Sequence, residues 1–466
     1  MSQYPRFPAE AWLPLAAGLF WLWHAPTHGV LGFLFSLLPG TLLLGSGVSM
    51  LLMPGDGRIA QFAAVGGALG AVLALPAFAV VGLAHGALLF GLSAAGFLAA
   101  GIHSLRFEPS IEDVPAARPS PALWAQVAAD EAMLAGVLVT HPLPRSGDAV
   151  RIEREVEAAR ALFESAGWLE KPEGYHPQPP PPDGVRLRPV RIRRVPYEEL
   201  SFESGYEPHP DEPGRARWLS YEANRTAHSW LVRGADPDRP WLVCVHGYQM
   251  GWPGIDLTAF APEWLHQRLG LNLAVPVLPL HGKRKIGRRS GEGFIAGDLL
   301  DTVHAEAQAM WDLRRLLRWL RGQGASRIGV LGFSLGGYNT ALLAGLEARL
   351  ECAIAGVPLV DFARILHRHG PPVYLREEGT LVGERRTREV LSVVSPLSFP
   401  CKLPLARRAL FGAVGDRLVP PDHVRDLWRH WERPRIEWYQ GAHLTFRAHR
   451  TVRELVRSTL EDAGLS

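Results

Sequence analysis

The sequence predicts a mostly parallel α/β sheet flanked by helices, preceded by an all-α region apolar enough to cross a membrane. Two observations carry this reading. The 466 residues hold 49 basic and 46 acidic side chains, yet residues 1–105 contain only Arg6, Glu10, Asp56 and Arg58. Beyond residue 185, short apolar runs alternate with amphipathic helices, the pattern of strands joined by crossover helices. Three segments follow: 1–105 as a helical membrane region, 106–184 as a helical, proline-rich linker, and 185–466 as the α/β domain.

Within the first segment, Ala11–Gly55 and Ile59–Leu105 lack Asp, Glu, Lys and Arg altogether, runs of 45 and 47 residues. Each is about twice the ~20 residues that cross a bilayer. Breaks at His24–Gly29 and Ala84–Gly86 divide them into crossings near 11–25, 29–53, 59–83 and 86–105. A cleaved signal peptide offers one short apolar region and not four. The first crossing is short, and Trp12, Trp21 and Trp23 suit an interfacial position, so three spans with an interfacial helix is the alternative. Arg6, Arg58 and Arg106 fall on one side of a four-span arrangement, and the positive-inside rule puts that side, with the α/β domain, in the cytoplasm. Gly66, Gly67, Gly70, Gly82, Gly86, Gly91 and Gly96 would let the helices approach closely.

In the second segment, Leu123–Val139 and Ile152–Leu169 read as helices, the latter with Ile152, Val156, Ala159 and Phe163 on one face. The run Pro179–Pro182 favours an extended polyproline spacer over a docking motif. The net charge of +3 is too small for an electrostatic nucleic-acid binder. Three scattered cysteines, Cys244, Cys352 and Cys401, form no zinc or disulfide pattern and suit a reducing compartment.

The α/β segment has apolar runs at Val190–Arg194, Ser229–Val232, Trp241–Val245, Leu273–Pro279, Arg327–Leu331, Cys352–Val357, Ala409–Val414 and Ile436–Tyr439. Between two of them, Val303, Ala307, Met310, Leu313, Leu317 and Leu320 share one helical face. Gly332-Phe333-Ser334-Leu335-Gly336 stands at the end of a strand and opens a helix. That context suits a nucleophile, because the flanking glycines permit a tight turn that lifts the serine hydroxyl above the sheet. Serine is a weak nucleophile until a base removes its proton and a carboxylate orients that base. Asp416 follows the run ending at Val414, and His443 follows the one ending at Tyr439. All three side chains fall on loops at strand carboxyl ends. Asp422 and Asp361 are the alternative acids, and His246 in Val245-His246-Gly247 reads as a turn-shaping residue.

With these motifs in the order Ser334, Asp416, His443, residues 185–466 resemble an α/β-hydrolase domain. The resemblance implies a serine hydrolase with an oxyanion hole made by the backbone N–H groups of Leu335 and Tyr248. It implies esters more often than amides, with no metal or organic cofactor. Two insertions, Leu280–Asp298 and Val360–Leu405, are candidates for a cap over the site. The first carries Lys283, Arg284, Lys285, Arg288 and Arg289, which read either as a solvated loop paired with Glu292 and Asp298 or as a headgroup-binding cluster. His367 and His369 in the second lack a metal-ligand partner pattern. The expectation is a membrane-anchored hydrolase of a small or lipid-like ester, in contact with membrane lipids and not with nucleic acid. A peptidase on the same fold and a non-catalytic membrane scaffold are the alternatives, and no motif names a protein partner.

Overall fold

A computed structural model describes all residues except 1–7, 26–28, 54, 141–145, 193–194, 296–297 and 371–382. The break at 26–28, Arg6, the end of the run at 193–194 and the middle of the second insertion therefore lie outside the described residues. The chain forms two compact units. The first comprises 1–141 with 413–422 and 438–449, and the second 142–412, 423–437 and 450–466. The segment expected as a linker is thus divided between them.

The first unit is built on α1 (Trp12–His24), α2 (Gly29–Leu52), α3 (Arg58–Val81), α4 (Leu83–Arg106) and α5 (Pro121–Thr140). α1 has 13 residues, about 20 Å at 1.5 Å per residue, short of the ~30 Å hydrocarbon core. Among the described residues, four helices are long and apolar enough to cross a membrane: α2 from Gly32, α3, α4 and α5. The second break falls at Gly82 and not at the expected Ala84–Gly86. Gly82 has φ 82 and ψ 166, a conformation that a side-chain-bearing residue rarely adopts, so the chain turns there. Small residues set the helix spacing. A Cβ on Gly67 would lie 2.6 Å from the Phe97 nitrogen, and one on Gly101 2.0 Å from the Trp124 carbonyl oxygen.

Ala11, Met50, Ile59, Ala63, Ala64, Ala100 and Ala128 pack as one cluster, which places the start of α1, the end of α2, the start of α3 and the end of α4 at one end of the bundle. Arg106 pairs with buried Glu10 at 2.9 Å at that same end. The outer faces expose Leu19, Phe33, Leu34, Phe62, Val72, Leu75, Leu83 and Phe90. A helix bundle in water presents polar residues there.

The second unit opens with α6 (Ser146–Ser165), whose Ile152, Val156, Ala159 and Phe163 are all buried as the periodicity requires. It continues through β1 (Arg186–Ile192), β2 (Val195–Glu203), α7 (Arg215–Leu219), β3 (Thr226–Val232), β4 (Trp241–Val245), α8 (Pro253–Phe260), β5 (Asn272–Val277), α9 (Leu299–Gly322), β6 (Ile328–Phe333), α10 (Leu335–Leu346) and β7 (Ala353–Gly356). α11 (Phe362–His369), α12 (Glu384–Leu391), β8 (Arg408–Ala413), α13 (Pro421–His430), β9 (Arg435–Tyr439) and α14 (Arg450–Asp462) complete the chain.

The sheet order is β1-β2-β3-β5-β4-β6-β7-β8-β9. β1, β2 and β3 pair antiparallel at one side, and β5, β4, β6, β7 and β8 run parallel. This is the α/β-hydrolase sheet. The predicted face of α9 is buried throughout, from Val303 to Leu320. β2 was not expected, and the run assigned to Val190–Arg194 overlaps the end of β1. Alternating charges conceal the β1–β2 hairpin: Glu199 of β2 bonds Arg188 of β1, and Glu198 bonds Arg233. β2 lies between β1 and β3, and these paired charges leave it without a continuous apolar run.

Candidate active site

Ser334 links β6 to α10 with φ 59 and ψ −122. A serine held in this region costs about 1–3 kcal/mol of backbone strain. The two glycines of the motif are required by space. A Cβ on Gly332 would stand 2.2 Å from the Gly336 carbonyl oxygen, and one on Gly336 1.9 Å from that of Val245. The turn is tied down by Ser334 N–H donating to Gly356 O at 2.9 Å, while Ser334 O accepts from Tyr338 N–H at 3.1 Å and Leu359 N–H at 3.3 Å. Ser334 itself stays partly exposed.

Leu335 is the first residue of α10, so its N–H has no acceptor within the helix. The loop after β4 lies against the same turn, since a Cβ on Gly336 would also meet the His246 carbonyl oxygen and one on Gly247 the Phe333 ring. Tyr248, the second expected oxyanion donor, follows directly in that loop, with its ring edge-on to His281 at 5.7 Å. His246 is fully engaged: Nε2 accepts from Leu278 N–H at 3.1 Å and Nδ1 faces Gly247 O at 2.8 Å. It shapes the turn and has no nitrogen left for proton transfer.

The expected acid and base meet within the first unit. His443 Nδ1 lies 2.7 Å from Asp416 Oδ2, with both side chains buried. The other Asp416 oxygen accepts Val419 N–H at 2.8 Å. Burial opposes the imidazolium, but the charge and hydrogen bond of Asp416 and the further charge of Asp130 win, raising the His443 pKa above its ordinary value. Nδ1 is thereby committed to the carboxylate, which leaves Nε2 as the basic atom.

Other candidates are placed elsewhere. Asp361 caps α11 by accepting Arg364 N–H and pairs with Arg388, and Asp422 lies in the first turn of α13. Arg284 is 1% exposed and bonded to Asp312, Val277 O and Asn224 O, Lys283 bonds Glu199, and Lys285 donates to Arg288 O. Arg284 is thus taken into the interior and Lys283 is tied to Glu199, while Arg288 and Arg289 remain exposed. Arg289 N–H does meet Glu292, whereas Asp298 pairs with Arg151 and Arg217. Among the described residues no group of three His, Cys, Asp or Glu side chains gathers as for a metal.

Sequence reasoning missed Asp130, Glu131 and Arg417. Asp130 Oδ2 accepts the backbone N–H of His443 at 3.0 Å and of Arg417 at 3.1 Å. Glu131 accepts from Arg417 Nε at 2.9 Å and from Ser104 Oγ at 2.5 Å, and Glu108 also pairs with Arg417. The signal was present: two adjacent acids at the centre of an otherwise uncharged α5.

An uncharacterised protein of Mycobacterium tuberculosis strain CDC 1551 / Oshkosh, MT2702, is 44% identical over 357 residues, 76% of this chain and 86% of that protein. Rv2627c, from strain ATCC 25618 / H37Rv, matches over the same length at the same identity. The chain belongs to their family. No family model matches it. Among solved structures it is similar to the acetyl xylan esterase of Paenibacillus sp. R4, at 19% identity and TM-score 0.43, over 64% of this chain and 93% of that one. Acetyl xylan esterase 1 of Thermoanaerobacterium sp. JW/SL YS485 gives 16% and 0.42 over 69% and 95%, and the acylaminoacyl peptidase of Pyrococcus horikoshii 13% and 0.36 over 59% and 41%.

Two outcomes follow for the site. With His443 as the base of a hydrolysis, the reaction would need it neutral, so activity should be lost as pH falls through its raised pKa. The acidic limb of kcat/KM should have its midpoint above the ordinary ~6.5 of histidine, and a midpoint at or below it would contradict the geometry. Ser334→Gly removes the strain of a positive φ but loosens the unfolded chain by up to ~1 kcal/mol. A net gain of about 1 kcal/mol is expected in thermal unfolding, alongside loss of activity; a destabilised variant would count against a strained serine.

Proposed function

We propose that this family member is a membrane-anchored serine hydrolase that cleaves a lipid-like carboxylic ester through an acyl-enzyme. Ser334 Oγ attacks the carbonyl carbon as His443 Nε2 takes the hydroxyl proton, and Asp416 holds Nδ1–H and stabilises the imidazolium. The N–H groups of Leu335 and Tyr248 receive the developing oxyanion, an interaction worth several kcal/mol of barrier. As the tetrahedral intermediate collapses, the alcohol leaves with the proton from His443. Water then attacks the acyl-serine with His443 again as base, releasing the acid and restoring Ser334.

The observation that carries this reading is the backbone of Ser334, held at φ 59 between two glycines that no larger residue could replace. Strain of this kind persists where the surrounding structure over-determines it, and it clusters at active sites and ligand clamps. The substrate class is inferred from the helices. α2, α3 and α4, with α1 in the same bundle, present an outward apolar surface suited to hydrocarbon, and an enzyme held at a bilayer meets amphiphilic esters at high local concentration. α5 meets that bundle through Trp124 and Ala128 at the end where Glu10 and Arg106 pair, so we read it as lying outside the bilayer. Arg58 and Arg106 at that end support, under the positive-inside rule, our reading of the α/β domain as cytoplasmic.

The full chain in detergent should hydrolyse p-nitrophenyl esters, and Ser334→Ala should lower kcat by at least about 1,000-fold. Cleavage of peptide anilides alone would replace the esterase by a peptidase. No turnover of either would favour a scaffold.

A further inference from the structure

Asp130 and Glu131 are the two charges of α5, and both are buried. Asp130 Oδ2 takes the N–H groups of Arg417 and His443, which belong to the residue after the acid and to the base itself. These loops leave different strands, β8 and β9, so one oxygen sets their spacing beside the 2.7 Å Asp416–His443 bond. α5 also lies flush against the acid loop: a Cβ on Gly415 would come within 2.9 Å of Val127 Cγ2 and 3.0 Å of Leu123 Cδ1. Glu131 and Glu108 hold the Arg417 side chain, and Ser104 at the end of α4 donates to Glu131. Acid loop, base loop, α5 and α4 are thus joined by a continuous set of buried bonds.

We propose that Asp130 is a positioning residue of the hydrolase, and that α5 is a strut by which the N-terminal helices, besides anchoring the enzyme, set the geometry of Asp416 against His443. The proposal rests on the reading of Ser334, Asp416 and His443 as the triad. Asp130 acts through the two loops and touches no substrate. What the clamp requires is an acceptor oxygen at one place. Asparagine retains that oxygen, leucine removes it, and glutamate displaces it by one methylene while keeping charge and polarity. Among the described residues, the titratable groups that contact His443 are Asp416 at Nδ1, Asp130 of α5 at its backbone N–H and Tyr439 of β9 at its backbone oxygen.

The test measures kcat and KM of the full chain in detergent on p-nitrophenyl butyrate, with the low-field proton signal of His443 Nδ1–H and a thermal unfolding curve for each variant. Asp130→Asn should keep kcat within about threefold of wild type and leave the proton signal in place. Asp130→Leu should lower kcat by about 30-fold or more, with KM within about threefold and the signal displaced or lost. If Asp130→Leu does not fold, Asp130→Glu decides: about a tenfold or larger fall in kcat at unchanged KM supports the proposal, and wild-type kcat overturns it. A folded Asp130→Leu with wild-type kcat also overturns it, provided Ser334→Ala is inactive, and the triad then stands alone. Wild-type turnover in Ser334→Ala, or none in the wild type, removes the triad reading and this inference with it.

Discussion

The constraint on which the α/β half depends is the positive φ of Ser334. To hold it, β6 must end at Phe333, α10 must begin at Leu335, and Gly332 and Gly336 must carry no side chain, because the Val245 and Gly336 carbonyls occupy the space a Cβ would need. The consequence reaches past the turn. With Gly336 seated on Val245, the loop after β4 lies against the first turn of α10, where a helix has unsatisfied N–H groups. One strained residue therefore exposes a hydroxyl and brings two possible oxyanion donors into the same neighbourhood. Its strain of about 1–3 kcal/mol is a large share of a domain's ~5–15 kcal/mol net stability. The buried parallel strands around it supply the compensating apolar burial.

The acid and base follow a different logic. Asp416 and His443 are both buried, and a buried carboxylate is tolerated only when its oxygens are bonded. Asp416 meets this with Val419 N–H and the imidazole, and Asp130 with two backbone N–H groups. The second carboxylate adds negative charge near the imidazole, favouring its protonated form. The membrane-like helices and the Asp416 and His443 loops of the first unit are thus linked through polar bonds, in addition to their sequence connection.

Much of this was legible in the sequence because period and turn chemistry agreed. The α9 stripe from Val303 to Leu320 and the Gly332–Gly336 motif each depend on local spacing, and the structure has them where that spacing put them. The Asp416–His443 pairing was legible from strand ends, since both follow the last residue of an apolar run by a few positions. What was hidden depends on distant partners. β2 is a strand through its ladders with β1 and β3, despite its charges. Arg284 looked like part of a surface cluster, but Asp312, 28 residues away, takes it inside. The role of Asp130 depends on loops some 290 to 310 residues away, beyond any local pattern. The helix break at Gly82 was misplaced by three residues because several glycines lie nearby and only backbone geometry distinguishes them.

The central claim is that Ser334 is an activated nucleophile. Its most direct measurement is the mass of the intact chain after exposure to a fluorophosphonate, followed by peptide mapping of the adduct. One phosphonyl group on Ser334, absent from Ser334→Ala and strongly slowed in His443→Ala, is the predicted result. An unmodified wild-type chain, or equal modification of wild type and Ser334→Ala, would contradict the account.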